Sequence, residues 1–418
     1  MVRTAGVVLL NLSTIFSLTL VSSGASLGGR AAVFWDLVAC FCCVLPVGTA
    51  VQELLKYSPE ATSLTEAVAK HTSSVAASFV AVSEWAAAMI FTVPLLSFVA
   101  LGVSEAFGLQ QTGLYLAMSV LLQMALFTAI ALAGIDKAVA SLSVLTLVGV
   151  LPIVYMAVGV AANAAALETV WKGGIIQPGV SFVLFGFAGI EVSAFHRRDM
   201  TERAYNAALG ISMALVILLY AGGQLLMAAL VNPEDLGLND GVFKALRAAT
   251  GRWGSKAFFV ACLLAVVNGA AAALPWLLGP VRGIAEIVQR REAHLFIFQG
   301  MFVASLGMLF LCTTASEAFW WLTAPCAATT QSLYLILFWA ALRAKRRDWR
   351  DALLILGAFT SFFGLGLAFI PPDDSCTSSS VFIAVILAVL LLIGSAAYKL
   401  GSTQPRRNDH APWTPLTS

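Results

Sequence analysis

Two short stretches of this chain place polar and flexible residues where the surrounding sequence is apolar. The first, Asn11-Leu-Ser-Thr-Ile-Phe-Ser-Leu-Thr-Leu-Val-Ser-Ser-Gly-Ala-Ser-Leu-Gly-Gly29, threads hydroxyls and glycines through an apolar run. The second, Phe185-Gly-Phe-Ala-Gly-Ile-Glu191, sets two glycines and an acid in the middle of a short one. Residues of this kind interrupt helices. A helix that restarts inside an apolar layer presents N–H groups and the positive end of its dipole, and a helix that stops there presents carbonyl oxygens. The two together suit a small zwitterion carrying both a carboxylate and an ammonium group. The candidate binding residues are therefore Ser17, Leu18, Thr19, Leu20, Val21, Ser22 and Ser23, with Phe185, Gly186, Phe187, Ala188, Gly189, Ile190 and Glu191. Either stretch alone reads equally well as a small-residue helix contact; the matched pair favours a site.

Acids inside apolar runs are the second signal, because a carboxylate there costs free energy and needs a reason. Two acids, Glu84 and Glu191, are candidate proton carriers. Glu191 has an equal claim to a structural role, accepting backbone N–H bonds at an interrupted helix. Phosphate-cradling and paired-histidine metal motifs do not occur, and no metal ligand set or cofactor is expected. His71, His196, His294 and His410 fall at helix ends or in loops, His196 opening a His-Arg-Arg-Asp199 anchor. The seven cysteines, including the Cys40-Phe-Cys-Cys43 cluster, sit mostly in apolar runs and read as packing thiols.

These stretches belong to a chain of 418 residues that is 60% hydrophobic and only 11% charged. A soluble domain carries about 25% charged residues, so an ordinary globular protein is excluded. Crossing a bilayer takes about 20 apolar residues, and runs of that size fall at about twelve places. They are 4–24, 33–55, 75–101, 114–135, 139–161, 180–195, 207–231, 257–278, 295–312, 319–342, 352–370 and 381–397. The fold class expected is an all-α membrane protein. The polar interior of the first run argues for a retained helix rather than a cleaved leader. With both termini inside, 18 Lys and Arg residues fall in inner loops and six in outer ones; that bias fixes the orientation and the even number of spans. The net charge of +2 gives no argument for nucleic acid.

The interrupted runs stand first and sixth, as expected of two five-helix inverted repeats followed by two extra helices. The residues also resemble a family. Phe185-Gly-Phe-Ala-Gly-Ile-Glu-Val-Ser-Ala-Phe-His196 is similar to the sixth-helix signature of the amino acid–polyamine–organocation superfamily, especially its glutamate/GABA antiporter branch. Asn11 to Leu18 resembles that branch's first helix, Leu45 to Glu53 the end of its second, and Ala368 to Asp373 the exit of its eleventh. Trp276-Leu-Leu-Gly-Pro-Val-Arg-Gly283 resembles a stretch after helix eight, through Trp276, Gly279, Pro280, Arg282 and Gly283. After Leu18 the chain has Thr19-Leu-Val-Ser22 where the branch shows Arg-Gly-Leu-Pro.

The resemblance implies a single transporter domain with the inverted-repeat fold. Helices one to five (4–161) and six to ten (180–342) form the repeats, 352–397 the last two helices and 401–418 a cytoplasmic tail. It implies exchange of an amino acid for a counter-substrate by alternating access around helices one and six, without ATP and without enzymatic chemistry. The setting implied is a bacterial inner membrane, with both termini cytoplasmic. A proton- or sodium-coupled symporter, and a membrane scaffold or receptor of the same fold that no longer transports, remain alternatives.

Overall fold

Hydrocarbon offers no partner to a backbone N–H or C=O, so an apolar run has to bond to itself, and the helix is the way a single run does so. The computed structural model describes residues 2–61, 63–133, 145–162, 180–191, 201–288, 315–344, 348–371 and 379–403. No strand occurs among them. In chain order the helices are α1 (Val2–Ile15), α2 (Leu18–Ala25), α3 (Gly29–Ala39), α4 (Leu45–Lys56), α5 (Leu64–His71), α6 (Ser74–Phe107), α7 (Gly113–Ala133) and α8 (Leu151–Ala162). There follow α9 (Val180–Gly186), α10 (Glu202–Leu230), α11 (Gly241–Thr250), α12 (Gly254–Val288), α13 (Ala315–Ala344), α14 (Arg350–Ala368) and α15 (Ser379–Thr403).

Eight helical segments among the described residues are long and apolar enough to cross a membrane, and the bent pair α1–α2 makes a ninth. Of the twelve runs expected, eleven contain described helix. The ninth, 295–312, lies outside the described residues, as do His196, His294, His410 and the 404–418 tail.

Three boundaries differ from expectation for physical reasons. The second span begins at Gly29 and reaches Lys56 as α3 and α4 joined through a π turn at Cys40–Val44. One extra residue in a turn widens a helix without ending it; Cys40 and Cys43 are buried there and Cys42 is half-buried. In the sixth run the α-helix ends at Gly186, and 192–195 lie outside the described residues. The eighth continues to Val288 through Pro275 and Pro280, so the Trp276–Gly283 motif lies within α12 and not after it. Neighbouring helices and side chains can absorb the backbone groups that a proline frees.

Burial separates the interior helices from the lipid-facing ones. In α6, 89% of the most apolar window is buried, against 22% in α15. Helix α6 is thus the central post, packed against α12, α13 and α15. Leu391 and Leu392 on α15 and Phe359 and Phe362 on α14 are exposed large apolar side chains, as a lipid-facing wall requires. Against this frame α1 packs on α10 and α12, while α9 packs on α2, α3, α13 and α14. Two short helices escaped the search for membrane-length runs. Helix α5 begins with the Ser63 hydroxyl accepting the Glu66 N–H at 3.2 Å, a side-chain cap, and α11 follows a loop that covers α2.

At one end of the bundle, Arg350 at the start of α14 pairs with Glu53 in α4, whose side chain is only 1% exposed. Removing the cation leaves a buried, uncompensated charge, a loss on the order of 3 kcal/mol. Arg350→Ala should therefore lower the unfolding temperature of purified protein markedly, and the double variant E53Q/R350A should recover most of the loss. If R350A melts like the wild type, the pair does not hold α4 to α14.

Candidate functional site

The first break is written into hydroxyl chemistry. In the last turn of α1, Ser13 and Thr14 turn their hydroxyls back onto the Leu10 carbonyl, each at 2.8 Å, a local bond that competes with the helical ladder and bends it. Ser17 then takes an extended conformation and its Oγ accepts the Thr19 N–H at 3.3 Å, capping α2. The axes of the two pieces differ by 52°.

The second break follows Gly186. Residues Phe187 to Gly189 form a turn and Ile190–Glu191 a short 3₁₀ segment. Gly189 has φ +111°, and a Cβ there would lie 2.6 Å from Thr14 Cγ2. Conformation and proximity thus both demand glycine. Glu191 folds back over the break: its Oε2 accepts the Gly189 N–H at 3.1 Å and the Tyr334 hydroxyl at 3.0 Å.

One side chain joins the two breaks. The Tyr220 hydroxyl, on α10, donates to the Ile15 carbonyl at 2.6 Å, lies 3.2 Å from the Gly186 carbonyl and accepts the Ser17 N–H at 3.3 Å. From α12, Asn268 Oδ1 accepts the Leu18 N–H at 2.8 Å and Trp276 Nε1 donates to the Thr14 carbonyl at 2.8 Å. Aromatic rings close the surroundings. Phe16 and Phe187 flank Tyr220, with centroids 5.8 and 5.0 Å away, and Phe91 meets Phe185 and Trp276 edge-on at 4.7 and 5.3 Å.

The main-chain groups that the sequence reading left free for a zwitterion are therefore held, in this conformation, by side chains from α10 and α12. The groups a break releases can be counted along the chain; the neighbours able to satisfy them cannot.

All fourteen candidate binding residues are buried, and the two breaks adjoin: a Cβ on Gly186 would lie 3.6 Å from the Leu20 side chain. The fourteen do different things. The Ser22 hydroxyl donates to the Gly237 carbonyl at 2.8 Å, and that of Ser23 to Thr19 at 3.0 Å and Leu238 at 3.3 Å. Both thus tie α2 to the loop ahead of α11. Val21 packs toward Gly223 of α10. Among the four hydroxyls of Ser17, Thr19, Ser22 and Ser23, only Thr19 Oγ1 is buried without a hydrogen-bond partner.

Glu84 stands elsewhere, half-buried on α6 beside Trp85, and Pro280 is buried one turn beyond Trp276. Gly279, Arg282 and Gly283 lie on α12, and the structure describes only their backbone.

Tyr220, Asn268 and Tyr334 were missed. Each is a polar residue in an apolar run, and the rule that flagged the two acids applies to them with less force because they are neutral. Two further acids, Asp36 and Glu53, also lie in the second run and are fully buried.

A model of the amino acid permease family matches residues 3–391. No curated protein matches the chain.

Tyr220→Phe keeps the ring and deletes the shared hydroxyl, leaving buried carbonyls at both breaks without that partner at about 1–3 kcal/mol. Its unfolding temperature should fall. Gly189→Ala should fall further, from strain of about 1–3 kcal/mol plus the contact with Thr14. Gly210→Ala, in the interior of α10 with nothing within 4 Å, should be neutral or stabilising. Equal melting of all three variants would show that the breaks are not pinned in this way.

Proposed function

Because the chain belongs to the amino acid permease family, we propose that it is a secondary transporter of amino acids working by alternating access around its interrupted helices one and six. The observation that carries this reading is the single Tyr220 hydroxyl on Ile15, Ser17 and Gly186. The two breaks lie side by side, and the Thr14, Ile15 and Gly186 carbonyls and the Ser17 and Leu18 N–H groups are each held by a side chain that a ligand can replace. The substrate carboxylate takes the N–H groups at the start of α2 in place of Asn268, and the ammonium group takes carbonyls at Ile15 and Gly186 in place of Tyr220. The buried Thr19 hydroxyl, without a partner of its own, meets the substrate directly.

The present conformation is then the closed one, with Ser22 and Ser23 locking the outer loop down. Opening requires α2 to leave Gly237 and Leu238, or α1 to leave Trp276. The two five-helix repeats, over 4–161 and 180–342, provide the halves that rock against each other.

Within this class we favour exchange of one amino acid for a counter-substrate, as in the glutamate/GABA antiporter branch, in a bacterial cytoplasmic membrane with both termini inside. The neutral Thr19, where that branch carries arginine, argues for a substrate whose side chain needs no cationic partner at that position.

Counterflow in liposomes tests both levels. Amino acids are first screened by thermal shift, and vesicles are then preloaded with each hit. Preloading should accelerate uptake of labelled amino acid severalfold, and collapse of ion gradients should leave that exchange intact. Thr19→Val should raise KM about tenfold, the loss of one buried hydrogen bond at about 1.4 kcal/mol. Uptake that stops when gradients collapse would replace exchange by symport. No binding and no uptake of any amino acid would overturn the transport reading.

A further inference from the structure

Asp36 has no place in the mechanism just described. It lies in α3, seven residues or about 10 Å along the helix from Gly29, and its side chain is fully buried. Its hydrogen-bond partner is neutral: Gln224 Nε2 on α10 donates to Asp36 Oδ1 at 3.3 Å. Two oxygens of this pair, Asp36 Oδ2 and Gln224 Oε1, are buried without any hydrogen-bond partner.

A carboxylate in this setting is the wrong species, since a buried charge needs a counter-charge and none of the ion pairs among the described residues includes Asp36. Arg30, the basic residue of the same helix, stands exposed at its start. The titratable side chains that face Asp36 are the thiol of Cys40, one turn further along, and the hydroxyl of Tyr220, one turn before Gln224 on α10. Helices α2 and α9, packed against α3, contain no titratable residue. Helix α14, whose Phe363 stacks on Trp35, carries Arg350 and Asp351 at its far end, where Arg350 is engaged by Glu53. The π turn adds Cys42 and Cys43, and α10 adds Glu202, Arg203 and Tyr205 at its opposite end.

A protonated acid fits where the anion does not. Its O–H is a donor, and bonding it to Gln224 Oε1 while Oδ1 keeps the Gln224 N–H closes a reciprocal acid–amide pair. One proton satisfies both orphaned oxygens. We propose that Asp36 and Gln224 form a proton-binding site, occupied in this closed conformation, that couples proton binding to closure of α2 over the breaks.

The coupling is steric and local. A Cβ on Gly24 of α2 would fall on the Gln224 amide, so the amide occupies space that only glycine leaves. Helix α10, which bears Gln224, also carries Tyr220, one turn away, against both breaks. Loss of the proton sets two acceptors against each other and drives the amide out of the Gly24 notch, loosening α2 from α10. The coupling half of this proposal rests on the transport reading; the protonation half does not.

Two measurements separate them. Infrared spectra of purified protein at neutral pH should show the carbonyl band of a protonated carboxyl group. The part of the band that Asp36 supplies should vanish in Asp36→Asn and persist in Glu191→Gln. In liposomes, wild-type uptake should fall about tenfold per pH unit once the site empties, whereas D36N, a permanent acid–amide mimic, should show no such fall. A carboxyl band as strong in D36N as in the wild type overturns the proton site. A pH profile identical in wild type and D36N, or an absolute requirement for sodium abolished by D36N, overturns the coupling. Loss of the Asp36 part of the band in D36N in a protein that moves no amino acid would uphold the site and sink the transport reading on which its coupling depends.

Discussion

Every main-chain polar group buried in a bilayer must find a partner inside the protein, and that requirement organises this structure more than any single side-chain contact. A continuous helix meets it without help. The first and sixth spans do not, because Ser17 leaves the helical conformation and the chain turns after Gly186. Each break strands carbonyls on one side and N–H groups on the other, and an unsatisfied group in such surroundings costs several kcal/mol. The fold answers with polar side chains from three unbroken helices: Tyr220 from α10, Asn268 and Trp276 from α12, and Tyr334 through Glu191 from α13. The breaks are thereby stable and still replaceable, which continuous helix is not.

Helix α10 shows how a straight element can measure a bent one. Ser212 receives the Asn11 amide at 3.1 Å, Tyr220 holds the end of α1 and the start of α2, and Gln224 fits against Gly24 near the end of α2. These positions fall on one face of α10 at 3.6 residues per turn. Gly223, within the same arc, gives Val21 room to approach. A single helix thus tracks the first span along its length, so a shift at the break is a shift against α10. The first span cannot move without exchanging partners along that face, and the polar ones among them are few.

The legible part of the structure was whatever depends on runs and interruptions along the chain. Apolar length located the spans, and Ser13, Thr14 and Ser17 announced a break that is present, because hydroxyl bonds to nearby backbone are local events. Gly186 and Gly189 announced the other for the same reason. What the chain order hides is which distant residue satisfies a stranded group. Tyr220 is 205 positions from Ile15 and Asn268 is 250 from Leu18, and neither spacing carries a pattern. The extension of α12 through two prolines was hidden too, since it depends on neighbours that absorb the freed backbone groups. Glu191 was readable in kind, as an acceptor at a break, but its partner Tyr334 was not.

Asp36 marks the sharper failure, because its type and its apolar surroundings were both in plain view. It stands three residues into the run expected from Val33 and close to Arg30, a position at which a surface acid is ordinary. In the structure the helix starts at Gly29, so Asp36 lies nearly two turns inside it, and α10 brings Gln224 against it. Depth was misjudged by four residues, and four residues turned a buried acid into an apparent surface one. The same correction explains why the acid and the breaks belong together. Once α3 begins directly after α2, the loop between them is too short for the two helices to separate, and whatever seats Gln224 between Gly24 and Asp36 also holds the second half of the first span in place.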